Sequence, residues 1–261
     1  MFKLNEFFGV LDQAAPLKYS KMQIEQGAYD NSGIIVNMHD YVEKVLFSLD
    51  LSTEAVKRAK RLKCDTVVTH HPAIYYPVKS LSVNGETAAV ALAAKNGLNV
   101  ISMHLNLDVA TDGIDDNLCK GLGGKNYRFL NGLDDNAHYG REFAVGKPLG
   151  SFKREICESL GTRKVLVYGS LRKEAGVAAS FCGGGADYAI KYVREGGTAD
   201  TIITSDMAHH VLKELIESGK SVILIPHYAS ENYGFKIFSE KIGKKVSPKA
   251  QTFFFEDKRF L

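Results

Sequence analysis

The sequence predicts an α/β protein of two similar α/β domains, each with a mostly parallel sheet flanked by helices. Three observations predict it. Short β-branched apolar runs alternate with amphipathic stretches along nearly the whole chain. The 261 residues exceed the usual size of a single domain. Between Gly121 and Gly150 the periodicity weakens, glycines become frequent, and Asp134, Asp135 and Asn136 form a polar turn cluster. The boundary is therefore expected there, giving domains 1–125 and 126–261.

Taken in order, the apolar runs predict strands at 33–36, 44–49, 66–69, 99–103, 165–169, 201–204 and 221–225. Helices are expected between them. Over 53–63, Val56, Ala59 and Leu62 fall on one side and Lys57, Arg58, Lys60 and Arg61 largely on the other, with Thr53 as the N-cap. Similar patterns predict helices at 85–96, 153–160, 208–218 and 230–242, and Gly219 supplies a C-terminal stop for the helix at 208–218. No fixed-period repeat or low-complexity tract is visible.

Composition narrows the classes of function. The 33 basic and 30 acidic residues are well mixed and leave a net charge of +3, which argues against a nucleic-acid or membrane footprint and for a small-molecule partner. Cys64, Cys119, Cys157 and Cys182 are widely spaced without a C-x-x-C pair, so free thiols in a reducing compartment are expected. The first twenty residues lack a signal-peptide pattern, and no apolar run approaches the length of a membrane-spanning helix. A cytoplasmic location follows as the expectation.

Three of the predicted strands end alike. TVVTHHP carries His70 and His71, NVISMHLNLD carries His104 and Asp108, and VILIPHYASE carries His227 and Glu231. In open parallel sheets the ligand cleft lies beyond the carboxyl ends of the strands, so side chains just past those ends converge although they are distant in sequence. A metal site in the cleft between the two domains is the expectation. Imidazole and carboxylate together suit zinc, manganese, iron, nickel or cobalt, and a carboxylate bridges two cations, so the mixture points to more than one ion. His227 and Glu231 stand at i and i+4, one helical turn apart, and Glu231 is the candidate bridge.

Each motif has a plainer competitor. A lone histidine after a strand is more often a capping or hydrogen-bonding group, Asn106 and Asp108 are natural turn residues, and Ser230 could cap a helix that has Glu231 in its first turn. The three motifs together outweigh these accounts. For Asp206, His209 and His210 the capping account is preferred. The run Gly183, Gly184, Gly185 lacks the Lys and Ser/Thr of a phosphate loop and reads as a tight turn where only glycine fits. Tyr75 and Tyr76 fit either a stacking surface for a ring substrate or a core or interface pair.

The order of these landmarks resembles the Nif-three-like family of dinuclear-metal hexameric proteins, also called the GTP cyclohydrolase I type 2 family. YDNSGIIVN at 29–37 is similar to the family's W-D-N-x-G-L-x-x-G segment, THHPAIYYPVKSL to its H-H-P segment, and ISMHLNLDVATDGIDDNLCKGLG to its S-x-H-x-N-L-D segment. FCGGGADYAI resembles its glycine turn, and TSDMAHH with PHYASE its closing pair. Departures are few: Tyr29 stands for the usual tryptophan, Asn37 and Asp112 for glycines, and Pro226 for the glycine before His227. The resemblance implies two divalent metal ions held by His70, His71, Asp108, His227 and Glu231, with Glu231 touching both. It places His104 beside them, as a sixth ligand or as a proton-handling catalytic residue. It implies a homohexamer without a long insert, and a metal-dependent hydrolase acting on a nucleotide or related small molecule. The alternative it allows is a non-catalytic metal-binding scaffold or a partner of a regulatory protein.

Overall fold

The seven expected β-branched runs form strands at Gly33–Val36, Lys44–Ser48, Thr66–Thr69, Asn99–Ser102, Leu166–Tyr168, Thr201–Thr204 and Ser221–Leu224. The computed structural model describes residues 1–261, and the chain divides into two units. Met1–Ala110 with Phe235–Asp257 make the first, and Thr111–Gly234 with Lys258–Leu261 the second. The chain's return to the first unit at Phe235, partway along a helix, is an exchange that the sequence pattern does not signal. No helix is long and apolar enough to cross a membrane.

The first unit contains a five-stranded sheet in the order Gly33–Val36, Asn99–Ser102, Thr66–Thr69, Lys44–Ser48, Gln251–Phe255. All neighbours are parallel except the Gly33–Val36 edge, which pairs antiparallel. Every residue of Thr66–Thr69 and Asn99–Ser102 is buried, as expected of central strands covered on both faces. The polar groups this buries are satisfied: Thr69 and Ser102 share a hydroxyl hydrogen bond of 2.8 Å, and the Asn99 carboxamide binds the backbone of Met38 and His39. Against the sheet packs Thr53–Leu62, which turns Ala55, Val56 and Ala59 inward. Its N-cap is Ser52 rather than Thr53, because the Ser52 hydroxyl accepts from Ala55 N at 3.0 Å.

Two helices before the first strand, Leu4–Ala14 and Leu17–Glu25, are absent from the expectation. Their signal was available, since Leu4, Phe7 and Leu11 recur at helical spacing and are buried. These helices support the segment after His104: Asn106 Nδ2 donates to Ala15 O at 2.6 Å and Gln23 Nε2 to Leu105 O at 2.9 Å.

The second unit holds a six-stranded sheet in the order Arg128–Phe129, Arg141–Ala144, Val177–Ser180, Thr201–Thr204, Ser221–Leu224, Leu166–Tyr168. Its three central strands are parallel and its edges antiparallel. Helix Leu149–Leu160 begins directly after Pro148, and His227–Val246 directly after Pro226. Both start earlier than the apolar periodicity predicts, because proline's fixed φ is compatible with a helix entry.

Arg141 is fully buried and holds this unit together. Its Nε donates to Asp116 Oδ1 at 2.7 Å and its Nη1 to Asp115 Oδ2 at 3.1 Å and to the carbonyls of His138 and Gly140. Burial pulls the guanidinium pKa down, and the two carboxylates outweigh it, so Arg141 stays charged. Asp115 Oδ1 also accepts from Cys182 N at 3.1 Å, which ties the network to the glycine turn that follows.

Two outcomes follow. Arg141→Ala leaves two buried carboxylates without their cation and is expected to cost about 3–5 kcal/mol in denaturant unfolding; a loss below about 1 kcal/mol would contradict the network's role. None of the four cysteines is in a disulfide, and burial, reinforced by Asp65 and Asp115, pushes the Cys64 and Cys119 thiols up to about 12. Cys182 is also buried and Cys157 partly exposed, so a thiol reagent near neutral pH should modify Cys157 alone until the chain is denatured.

Candidate metal centre

In the first unit the parallel register pairs Thr69 with Ser102, so the two central strands end at one level and release His70, His71 and His104 side by side. The ring centroids lie 5.0 Å apart for His70 and His71, 5.3 Å for His70 and His104, and 5.6 Å for His71 and His104. One side-chain nitrogen from each lies within 4.8 Å of the others, a spacing that suits a shared cation. Asp108 joins them from the short helix Leu105–Val109, its Oδ1 3.3 Å from His70 Nε2. His70 is fully buried, with its ring 5.9 Å from that of Phe235, and Asp108 is nearly so.

Each imidazole is held by its Nδ1. His70 Nδ1 donates to Met103 O at 2.8 Å, His71 Nδ1 pairs with Asp50 Oδ1 at 2.7 Å, and His104 Nδ1 with Asp30 Oδ1 at 2.8 Å. A carbonyl only accepts, so the proton of neutral His70 sits on Nδ1, and the carboxylates favour the same tautomer at His71 and His104. Nε2 is then the nitrogen that each ring offers to a cation. Burial would raise the pKa of Asp30, but hydrogen bonds from His104, Ser20 and Ser32 hold its carboxyl below the usual range. Asp30 is anionic at neutral pH.

The second unit brings His227 and Glu231 together by a different device. Both lie in the first turns of His227–Val246, one turn apart on one face, with His227 Nε2 3.1 Å from Glu231 Oε1. His227 Nδ1 pairs with Asp206 Oδ2 at 2.6 Å. Glu231 is 3% exposed. Gly183 lies beside the pair at φ 53°, a left-handed conformation, and a Cβ there would collide with Glu231 Oε1 and come within 3.2 Å of His227 Nε2. Its N–H donates to Ser230 Oγ at 3.2 Å, and Ser205 Oγ donates to Ser230 Oγ at 2.9 Å. Ser230 is thus an interior helix residue that braces the turn, not a cap.

Of the residues singled out in the sequence, His70, His71, His104 and Asp108 are brought together in the first unit, and His227 and Glu231 in the second. Sequence reasoning missed Asp30 and Asp50. Asp50 was findable, since it lies just past Lys44–Ser48 as His70 lies past the neighbouring strand. Asp206 was assigned to helix capping, whereas the N-cap of His209–Glu217 is Ala208 and Asp206 holds His227. The glycine run is a tight turn as expected, and at Gly183 the reason for glycine is the approach of Glu231.

This fold, with imidazoles and buried carboxylates gathered beyond strand ends and at a helix start, defines a class of α/β proteins with metal-competent sites. The chain belongs to the DUF34/NIF3 (NGG1p interacting factor 3) family, whose sequence profile matches residues 2–259. A Clostridium perfringens protein named GTP cyclohydrolase 1 type 2 homolog is 26% identical over 250 residues, covering 94% of this chain and 92% of its own. A Staphylococcus aureus protein of the same name is 29% identical over 158 residues, 60% of this chain and 42% of that protein, so the match spans less than half of its length. Among solved structures, a Staphylococcus aureus hypothetical protein superposes with a TM-score of 0.85 at 23% identity, covering 98% of this chain and 97% of its own. Reduced HcgD from Methanocaldococcus jannaschii gives a TM-score of 0.78 at 26% identity, covering 98% of both chains.

If these imidazoles hold a divalent ion, removing the acids that fix their Nδ1 should loosen it. Asp50→Asn and Asp206→Asn are each expected to weaken divalent-metal affinity by about 10- to 100-fold in competition with a chelator. Affinity equal to that of the unaltered chain would show that these acids do not act through the imidazoles.

Proposed function

We propose that the chain is a dinuclear divalent-metal protein and a metal-dependent hydrolase acting on a nucleotide or related small molecule. His70, His71, Asp108, His227 and Glu231 would hold the two ions. The observation that carries this reading is the repeated arrangement in which an imidazole is fixed at Nδ1 and has a buried carboxylate oxygen 3.1–3.3 Å from its Nε2. The donor chemistry fits, since neutral imidazoles with buried carboxylates suit zinc, iron, manganese, nickel or cobalt, and a dication offsets the cost of burying the acids. Gly183 fits too, because it leaves open the space beside Glu231 and His227 that a side chain would fill.

Bound divalent ions supply a water of lowered pKa and polarise a carbonyl or phosphoryl oxygen. In this reading His104 is the residue that handles the proton. Asp30 fixes its ring through Nδ1, so Nε2 faces the other imidazoles and takes or returns a proton at that atom. The printed name of the Clostridium perfringens relative supports a nucleotide as the substrate class. A cytoplasmic homohexamer completes the proposal, with the unbridged cysteines in keeping with a reducing compartment.

Elemental analysis of protein purified without added metal is expected to give two divalent ions per chain. Glu231→Ala should lose metal and hydrolysis of a nucleotide panel together. His104→Ala should keep its metal and lose turnover by about 100-fold or more; loss of metal in that variant would make His104 a ligand instead. Turnover that persists unchanged after chelation would sink the hydrolase reading, and light scattering showing a monomer would sink the hexamer.

A further inference from the structure

The geometry points to a stacking platform for a planar heteroaromatic ring, formed by Tyr29, Tyr75 and Tyr76 beside His104. The inference names the substrate class of the proposed metal site, and to that extent it rests on the hydrolase reading. All of the residues it uses belong to the first unit.

The three rings form a closed triangle. Their centroids lie 5.3 Å apart for Tyr29 and Tyr75, 4.6 Å for Tyr29 and Tyr76, and 4.7 Å for Tyr75 and Tyr76. This cluster is not core, because the residues are 43%, 37% and 62% exposed. It is next to the chemistry, because the Tyr75 ring lies 6.0 Å from the His104 ring at 79°.

The cluster is also fixed relative to His104, and by the same stretch of chain. Asp30 holds His104 Nδ1, and Ser32 Oγ accepts from His104 N at 3.0 Å. Asn31 Nδ2 donates to Ile74 O at 2.6 Å and Tyr75 Oη to Tyr29 O at 2.9 Å. Residues 29–32 therefore position the imidazole and the aromatic loop together. That loop runs from 70 to 87 without helix or strand, longer than most connections in packed domains, and binding residues fall disproportionately on loops. Tyrosine rings offer π-faces to any base with little selectivity for its edge groups, so the class recognised is a flat unsaturated ring such as a nucleobase.

The test uses the full chain, which has no tryptophan, with metal content measured in every sample. Guanosine 5′-monophosphate and ribose 5-phosphate, which differ by the ring, are titrated calorimetrically into metal-loaded and chelator-stripped protein. The nucleotide is expected to bind at least about tenfold more tightly in both forms, and Tyr76→Ala to remove most of that preference while Tyr76→Phe and Tyr29→Trp retain it. Because Tyr76 is largely exposed, its variants should unfold at the same denaturant concentration as the parent chain. Equal affinities for the two probes, binding of neither, or an unchanged preference in Tyr76→Ala overturns the platform. A fall in light-scattering mass in Tyr76→Ala with no change in ring preference assigns the tyrosines to contact between copies and also overturns it. Ring preference in protein that never holds metal would leave the platform standing and sink the hydrolase reading alone; bound metal without ring preference would do the reverse.

Discussion

The parallel register that pairs Ser48 with Thr69 and Thr69 with Ser102 is the constraint on which the first unit's site depends. It ends three strands at one level, so Asp50, the His70–His71 pair and His104, which lie just beyond them on three separate stretches of the sequence, become neighbours. Side chains alternate along a strand, and a slip of one residue between Thr66–Thr69 and Asn99–Ser102 would turn His104 away and move Met103 O off His70. The Thr69–Ser102 hydroxyl bond resists such a slip, which would separate two hydroxyls that are buried with their strands.

The second unit reaches the same local chemistry by other means. There a helix start, not a sheet edge, sets the imidazole and the acid one turn apart, and a glycine turn leaves room for them. Asp115 connects that turn to the buried Arg141, so the placement of Cys182 and Gly183 draws on the deepest ion pair of the unit. In both units an outer acid or carbonyl holds Nδ1, which selects the tautomer before any ligand arrives. Pre-selection of this kind lowers the reorganisation needed for binding.

Much of this was legible in the sequence, for identifiable reasons. The strands Thr66–Thr69 and Thr201–Thr204 match the expectation residue for residue, because β-branched runs bounded by polar residues have one reading. Helix starts were placed too late after Pro148 and Pro226, because the apolar periodicity becomes regular only some residues beyond a proline whose φ suits an entry. The six donor residues stood out through their types and their position after strands. Their outer partners did not, because an aspartate such as Asp30 has the same appearance in a solvated turn as beneath a histidine. Only the pairing of Gly33–Val36 with Asn99–Ser102 carries Asp30 to His104, and no local pattern encodes a contact across 74 positions.

The three successive glycines of the second unit are not equivalent. Gly183 is confined by Glu231 and Gly185 by Phe181, while Gly184 has open space where a side chain would extend and an ordinary backbone conformation. The middle position is therefore spare: alanine there would narrow the freedom of the unfolded chain and stiffen the bend while leaving both crowded neighbours untouched. The triplet holds two fixed points and one vacancy for sequence variation, so drift within the motif should concentrate at its centre.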